Sequence, residues 1–117
     1  MKKLNVGQDF SPDPSGRYRS DGSGSGEAFR EDCLKVAIES LGDNEKLHII
    51  IDDGVEGYGS SFLVEGFAGM VKHGYISSDE LLKKIEISCT DDDFIFYKNK
   101  IVEYIKQAKF NSTKYTP

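Results

Sequence analysis

The residues best suited to chemistry are Gly59-Ser60-Ser61-Phe62-Leu63, a turn that follows an apolar run and opens a helical pattern. A helix N-terminus presents unpaired backbone N–H groups and a partial positive charge. A serine hydroxyl there can cap the helix, and a phosphate added to it would be held by the same N–H groups. Spacing leaves both readings of Ser60 and Ser61 open, as helix cap or as phosphoacceptor.

A second group precedes the first helical pattern: Arg17, Arg19, Asp21 and the run Ser23-Gly24-Ser25-Gly26. Glycine-rich loops before helices can cradle phosphate. This one lacks the spacing and lysine of a Walker loop, and no strand stands directly before it as a dinucleotide fingerprint requires. It reads either as a ligand loop, with Arg17, Asp21, Ser25, Gly26 and Arg30 as contacts, or as a flexible lid over the sheet edge. A third group is acidic: Asp52 and Asp53 after one strand, Asp91 to Asp93 after another. Carboxylate clusters suit hard cations, but Asp-Gly is also turn chemistry and acids also start helices. No metal site is assigned, and no cofactor is expected.

Nucleophilic catalysis finds no support. His48 lies in an apolar strand pattern and reads as a core or sheet-face side chain. His73 ends a helix, where the dipole favours it. Neither has a neighbouring Ser or Cys in a nucleophile setting, so the expectation is a protein that is not an enzyme. Cys33 and Cys89 lie far apart, outside metal-ligand spacing, and read as reduced, partly buried thiols.

The elements that must position these groups follow from periodicity. Residues 3–6 alternate polar and apolar, and a short edge strand is expected there. Residues 11–26, SPDPSGRYRSDGSGSG, can continue neither helix nor strand. Residues 27–41 repeat Phe29, Cys33, Val36 or Ala37, and Leu41 at helical spacing, with Ser25 as a cap and Gly42 beyond the end. Residues 46–51, KLHIII, read as a central strand covered on both faces. A second helix runs from about Ser60 to His73 with Phe62, Leu63, Phe67, Met70 and Val71 in one stripe. Gly66 and Gly69 inside it predict close approach to another backbone. Ser77 and Glu80 form a capping box before a short helix. Residues 84–89 alternate as a strand. The last helix, about 92–109, turns Phe94, Tyr97, Ile101, Ile105 and Ala108 inward. Residues 111–117 are expected to fray. The sum is one α/β domain over 1–110, a mixed sheet with parallel strand pairs and three to four helices packed on it.

Composition narrows the function classes. A net charge of −5 and the absence of a basic stripe argue against a nucleic-acid binder. The same acidity favours a partner that presents Lys or Arg. No run approaches the roughly 20 apolar residues of a membrane span, and Met1-Lys2-Lys3 is followed by no long apolar run. A cytoplasmic protein is expected.

Two blocks, FSPDPSGRYRSDGSGSGEAFRE and then DDGVEGYGSSFLVEGF, resemble the bacterial STAS-like domains of unassigned function. The resemblance spans roughly residues 10–70 and rests on Gly16, Arg17, Asp21, Gly22, Ser25, Gly26, Phe29, Arg30, Ser60, Ser61, Phe62 and Glu65. That family is similar to the STAS domains of anti-sigma-factor antagonists. In those, the first serine of an Asp-Ser-Ser-Gly-Leu type turn is phosphorylated by a partner of the histidine-kinase-like ATPase fold. The resemblance aligns Ser60 with the phosphoacceptor; Gly59 stands where the Asp would be and Phe62 where the Gly would be. It implies a regulatory interaction module that docks a kinase-like ATPase or other regulator through the 59–73 turn and helix. The docking surface would be Tyr58, Gly59, Phe62 and Glu65. The alternative is a small-ligand or nucleotide-binding module, in which Arg17 and Arg30 contact phosphate beneath the 16–30 loop.

Overall fold

The apolar run before Asp52 becomes the middle strand of a three-stranded sheet. We label β1 Lys2–Asn5, β2 Leu47–Ile50 and β3 Ile85–Ser88, and they lie in that order. The structure is a computed structural model that describes residues 2–117. Both pairings are parallel, with Leu4 opposite Ile49 and Ile49 opposite Ile87. The expected parallel pairs therefore account for the whole sheet, and no antiparallel strand joins it among the described residues.

Burial alternates strictly along β2 and β3. Leu4, Leu47, Ile49, Ile85 and Ile87 face the helices and are buried. His48 and Ile50 point the other way and stay partly exposed. The expectation of a strand covered on both faces is thus corrected: the helices leave one face of the sheet open, and the apolar run conceals a period of two. On that open face His48 Nε2 lies 3.4 Å from Glu86 Oε2 on the neighbouring strand.

Helix α1 spans residues 26–39 and is α-helical at Gly26–Phe29 and Lys35–Glu39, with a π-helical turn at Arg30–Leu34 between them. Ser25 caps it, its Oγ accepting from Ala28 N at 3.1 Å. Helix α2 spans residues 60–72 and carries its own π-helical turn, Val64–Ala68. The cap is Gly59, with no side-chain hydrogen bond, so Ser60 and Ser61 are its first helical residues and not its caps. Helix α3, Ser78–Lys84, starts on Ser77 Oγ as expected, and α4 is Ile95–Gln107.

The helices close one core around Phe29, Phe62 and Phe67, all fully buried. Their rings stack at 5.3 to 5.5 Å between centroids. Burying each such side chain stabilises the fold by about 1.5–3 kcal/mol. No helix among the described residues is long and apolar enough to cross a membrane.

Both segments that lack periodicity make backbone hydrogen bonds. In the 11–26 loop, Ser15 N donates to Gly24 O, Gly26 N to Gly16 O, and Glu27 N to Arg17 O, which stitches its two arms together. The C-terminal segment lies against the end of α2. Asn111 N donates to Val71 O, which also accepts from Gly74 N, and Thr113 N donates to Lys72 O, both in the last turn of α2.

Candidate functional site

Arg30 is the side chain on which the site is built. It is fully buried in the first π-helical turn, although nothing in its spacing separates it from an ordinary exposed helix arginine. Its Nε donates to Glu31 Oε2 at 2.7 Å. Its Nη1 donates to the main-chain oxygen of Glu65 at 2.8 Å and to Glu65 Oε2 at 2.6 Å. A guanidinium carries five N–H donors, and Nη2 finds no partner at all. Burial works against the charge of Arg30, but the two carboxylates outweigh it and hold the guanidinium charged at any ordinary pH.

A cavity of about 330 Å³ lies against this guanidinium. Its walls come from the 11–26 loop (Arg17, Tyr18), from α1 (Glu27, Arg30), from the end of α2 (Lys72, His73) and from the tail (Thr113 to Thr116). The Tyr115 ring lies over the guanidinium, 4.9 Å from Arg30 Cζ to the ring centroid. Its hydroxyl donates to Glu27 Oε2 at 2.6 Å. That bond, with Arg19 N donating at 2.9 Å, holds the pKa of the Glu27 carboxyl below its ordinary value. His73 donates from Nδ1 to Thr113 O at 2.7 Å and places Nε2 3.4 Å from Glu65 Oε2. The Tyr75 phenol, nearby on Glu31, has its pKa pushed up to about 12 by burial and by its bond to that carboxylate.

The sequence-derived site residues divide between this cavity and the scaffold. Arg17 and Arg30, thirteen positions apart, meet at it. Asp21 lies outside: its carboxylate accepts from Tyr18 N and Arg17 N and shapes a turn, which lowers its pKa. The Ser25 hydroxyl is buried and occupied by the α1 cap. Gly26 is the point where α1 meets α2, since a Cβ there would stand 2.7 Å from Phe62 O.

The docking set also separates. The expectation that Phe62 lies on the docking surface is corrected: its ring is fully buried among Phe29, Phe10 and Tyr58 because the first turn of α2 faces the core. Glu65 likewise turns inward to pair with Arg30. Tyr58 is half-buried, donating to Ile51 O at 2.7 Å, and burial raises its phenol pKa. Gly59 and Ser60 remain exposed, and Ser61 is partly so.

The acidic ends of β2 and β3 do come together, but as hydrogen-bonded turns. Asp52 Oδ2 accepts from Thr90 N, Thr90 Oγ1 and Asp91 N, at 2.6, 3.2 and 2.7 Å. Asp53 accepts from Asn5 Nδ2 at 2.8 Å. Among the described residues no three His, Cys, Asp or Glu side chains gather as a metal site would require. Cys33 and Cys89 are both free thiols.

Sequence reasoning misses Lys72, His73 and Tyr115 as walls of one cavity. The tail NSTKYTP has no periodicity to announce that it packs, and its hold on α2 is through backbone groups. No protein-family model matches the chain, and searches of the curated proteins and of the solved structures find no match, so the functional reading rests on this site's own chemistry.

Proposed function

We propose that this chain is a non-catalytic binding module whose ligand is a small molecule held in the cavity between the 16–30 segment, the end of α2 and the tail. One observation carries the reading: the loop side chain of Arg17 and the buried, incompletely hydrogen-bonded Arg30 line the same concave space. Buried polar groups are normally satisfied, and an exception of this kind marks a place for a missing partner. A thermal-shift screen of anionic, neutral and cationic small molecules tests this. A true ligand at 100 times its Kd raises stability by about 2.7 kcal/mol; no shift with any class, at millimolar concentrations, would overturn the reading.

A second reading has its own support. The resemblance to STAS-like domains suggests a regulatory module, and the start of α2 leaves Gly59 and Ser60 exposed with no side-chain cap. In that reading Ser60 accepts a phosphate from a kinase-like ATPase, and the docking surface shrinks to Gly59, Ser60, Ser61 and the exposed edge of Tyr58. Intact-mass measurement of protein from its native host, with Ser60→Ala as control, decides it. A mass without a phosphate increment under every growth condition tried, and equal partner capture by Ser60→Ala, would remove it.

A further inference from the structure

We infer that the cavity recognises a phosphate-type oxyanion carried on a small aromatic group, and that this group takes the place over Arg30 now filled by the Tyr115 ring. The inference rests on the ligand-binding reading above and names the ligand's class.

The charge distribution points to an anion. Four cations line the cavity, Arg17, Arg30, Lys72 and Lys114, against two carboxylates, Glu27 and Glu65. Both carboxylates are already engaged within the wall, Glu65 by Arg30 and Glu27 by Tyr115 and Arg19. Glu31, behind Arg30, is engaged as well, by Arg30 Nε and Tyr75. Arg17, Lys72 and Lys114 form no ion pair among the described residues. Positive charge is therefore in surplus at one concave place on a protein whose net charge is −5. Such focusing favours an anionic ligand over the rest of the surface.

Arg30 supplies the geometric half. Its Nη2 is buried, carries two N–H donors and has no acceptor. Leaving buried donors of a charged group unmet costs stability, and a guanidinium edge suits the oxygens of phosphate or carboxylate. Tyr115 covers this guanidinium with a ring face, which offers cation–π attraction but no acceptor lone pair in the plane of Nη2. The tail thus occupies the site with the wrong chemistry for its strongest group. An aromatic phosphate matches both features, a ring for the place over Arg30 beside Tyr18 and oxygens for Arg30, Arg17 and Lys72.

The test uses the full chain, titrated by NMR and calorimetry with phenyl phosphate and inorganic phosphate, with benzyl alcohol and benzamidine as neutral and cationic counterparts. Phenyl phosphate is expected to bind saturably, to shift the Arg30 Nε and Tyr115 ring signals, and to bind more tightly than inorganic phosphate. Because Arg30 is a core side chain, Lys72→Gln and Tyr115→Ala carry the mutational arm. Lys72→Gln should weaken phenyl phosphate about tenfold, as loss of a charge-assisted contact does, and Tyr115→Ala should strengthen it by removing the competitor. Binding of benzyl alcohol or benzamidine in this cavity without phenyl phosphate would overturn the oxyanion assignment and leave the ligand-binding reading standing. Phenyl phosphate bound with no response to Lys72→Gln, or weakened by Tyr115→Ala, would also overturn it. Silence from all four probes would remove this inference, while the wider screen above decides the reading beneath it.

Discussion

Arg30 Nη1 is bonded twice to Glu65, to its main-chain oxygen and to its carboxylate, so one side chain clamps the π-helical turns of α1 and α2 together. π-Helical turns are uncommon and gather at functional sites; here two of them carry the two ends of one ion pair. Glu65→Ala should destabilise the protein by about 3–5 kcal/mol, because it leaves Arg30 buried with one of its two carboxylate partners gone. Glu65→Gln, which keeps an acceptor oxygen, should cost less. Urea unfolding of the three proteins measures this. An Ala variant within about 1 kcal/mol of the parent, the yield of an exposed pair, would show that the clamp contributes little.

The crossing of α1 over α2 rests on Gly26 and Gly66. A Cβ on Gly26 would stand 2.7 Å from Phe62 O and 3.0 Å from Gly66 N, both backbone atoms that cannot yield. Gly26→Ala should therefore cost about 1–3 kcal/mol through overpacking. At Gly66 the nearest atom is Phe29 Cδ2 at 3.1 Å, the rim of a ring that can shift. There the helix-propensity gain of up to about 1 kcal/mol offsets the contact, and Gly66→Ala should stay near neutral. A thermal melt that ranks the two variants in the opposite order would refute this view of the crossing.

The contrast between these glycines shows what the sequence could convey. Two glycines inside a helical stripe do announce a close approach, and Gly66 indeed meets Gly26. Gly69 instead meets the Arg30 side chain: a Cβ there would stand 2.6 Å from Nη1. Period and capping residues locate each strand and helix, since the Ser25 and Ser77 caps and apolar spacing are local properties. The burial of Arg30 and Glu65 is not legible, because it depends on which turns of two distant helices face each other. Phe62 is misread for a related reason: its place at the head of a helix says nothing about which way that first turn looks. The tail is illegible because its anchors are backbone carbonyls, which every sequence possesses.

The Tyr115–Glu27 bond gives the tail a window of pH. Glu27 titrates below its ordinary value in the fold because Tyr115 and Arg19 N donate to it. A depressed carboxyl contributes stability above its unfolded pKa and loses it as pH falls through the folded one. Tyr115 titrates above its ordinary value through burial and its bond to Glu27, so its share is present below the unfolded pKa and lost as pH rises through the folded one. Arg19, Arg30 and Glu31 are the other charges that act on this pair. The amides of Asn111 and Thr113 should stay protected at neutral pH and lose protection at both acid and alkaline ends. Hydrogen exchange measures this, and in Glu27→Gln the acid limb should vanish; an unchanged acid limb would place the titrating group elsewhere.

The start of α2 is open to improvement, and that bears on whether phosphate belongs there. Gly59 is its cap, with extended backbone at φ −83° and ψ 152°, and a Cβ on it would meet nothing within 4 Å. No acidic residue stands in the first turn of Ser60–Leu63. Gly59→Asp should add a side-chain acceptor for the free N–H groups, favour the dipole and stiffen the unfolded chain, for a gain of about 0.5–1 kcal/mol. Ser60→Glu should gain about 0.3–1 kcal/mol through the dipole alone, with salt reducing it. If both variants are more stable in urea, this turn tolerates negative charge as a phosphoserine would need. If Ser60→Glu is destabilising, the turn repels an anion, and phosphorylation at Ser60 loses its physical basis.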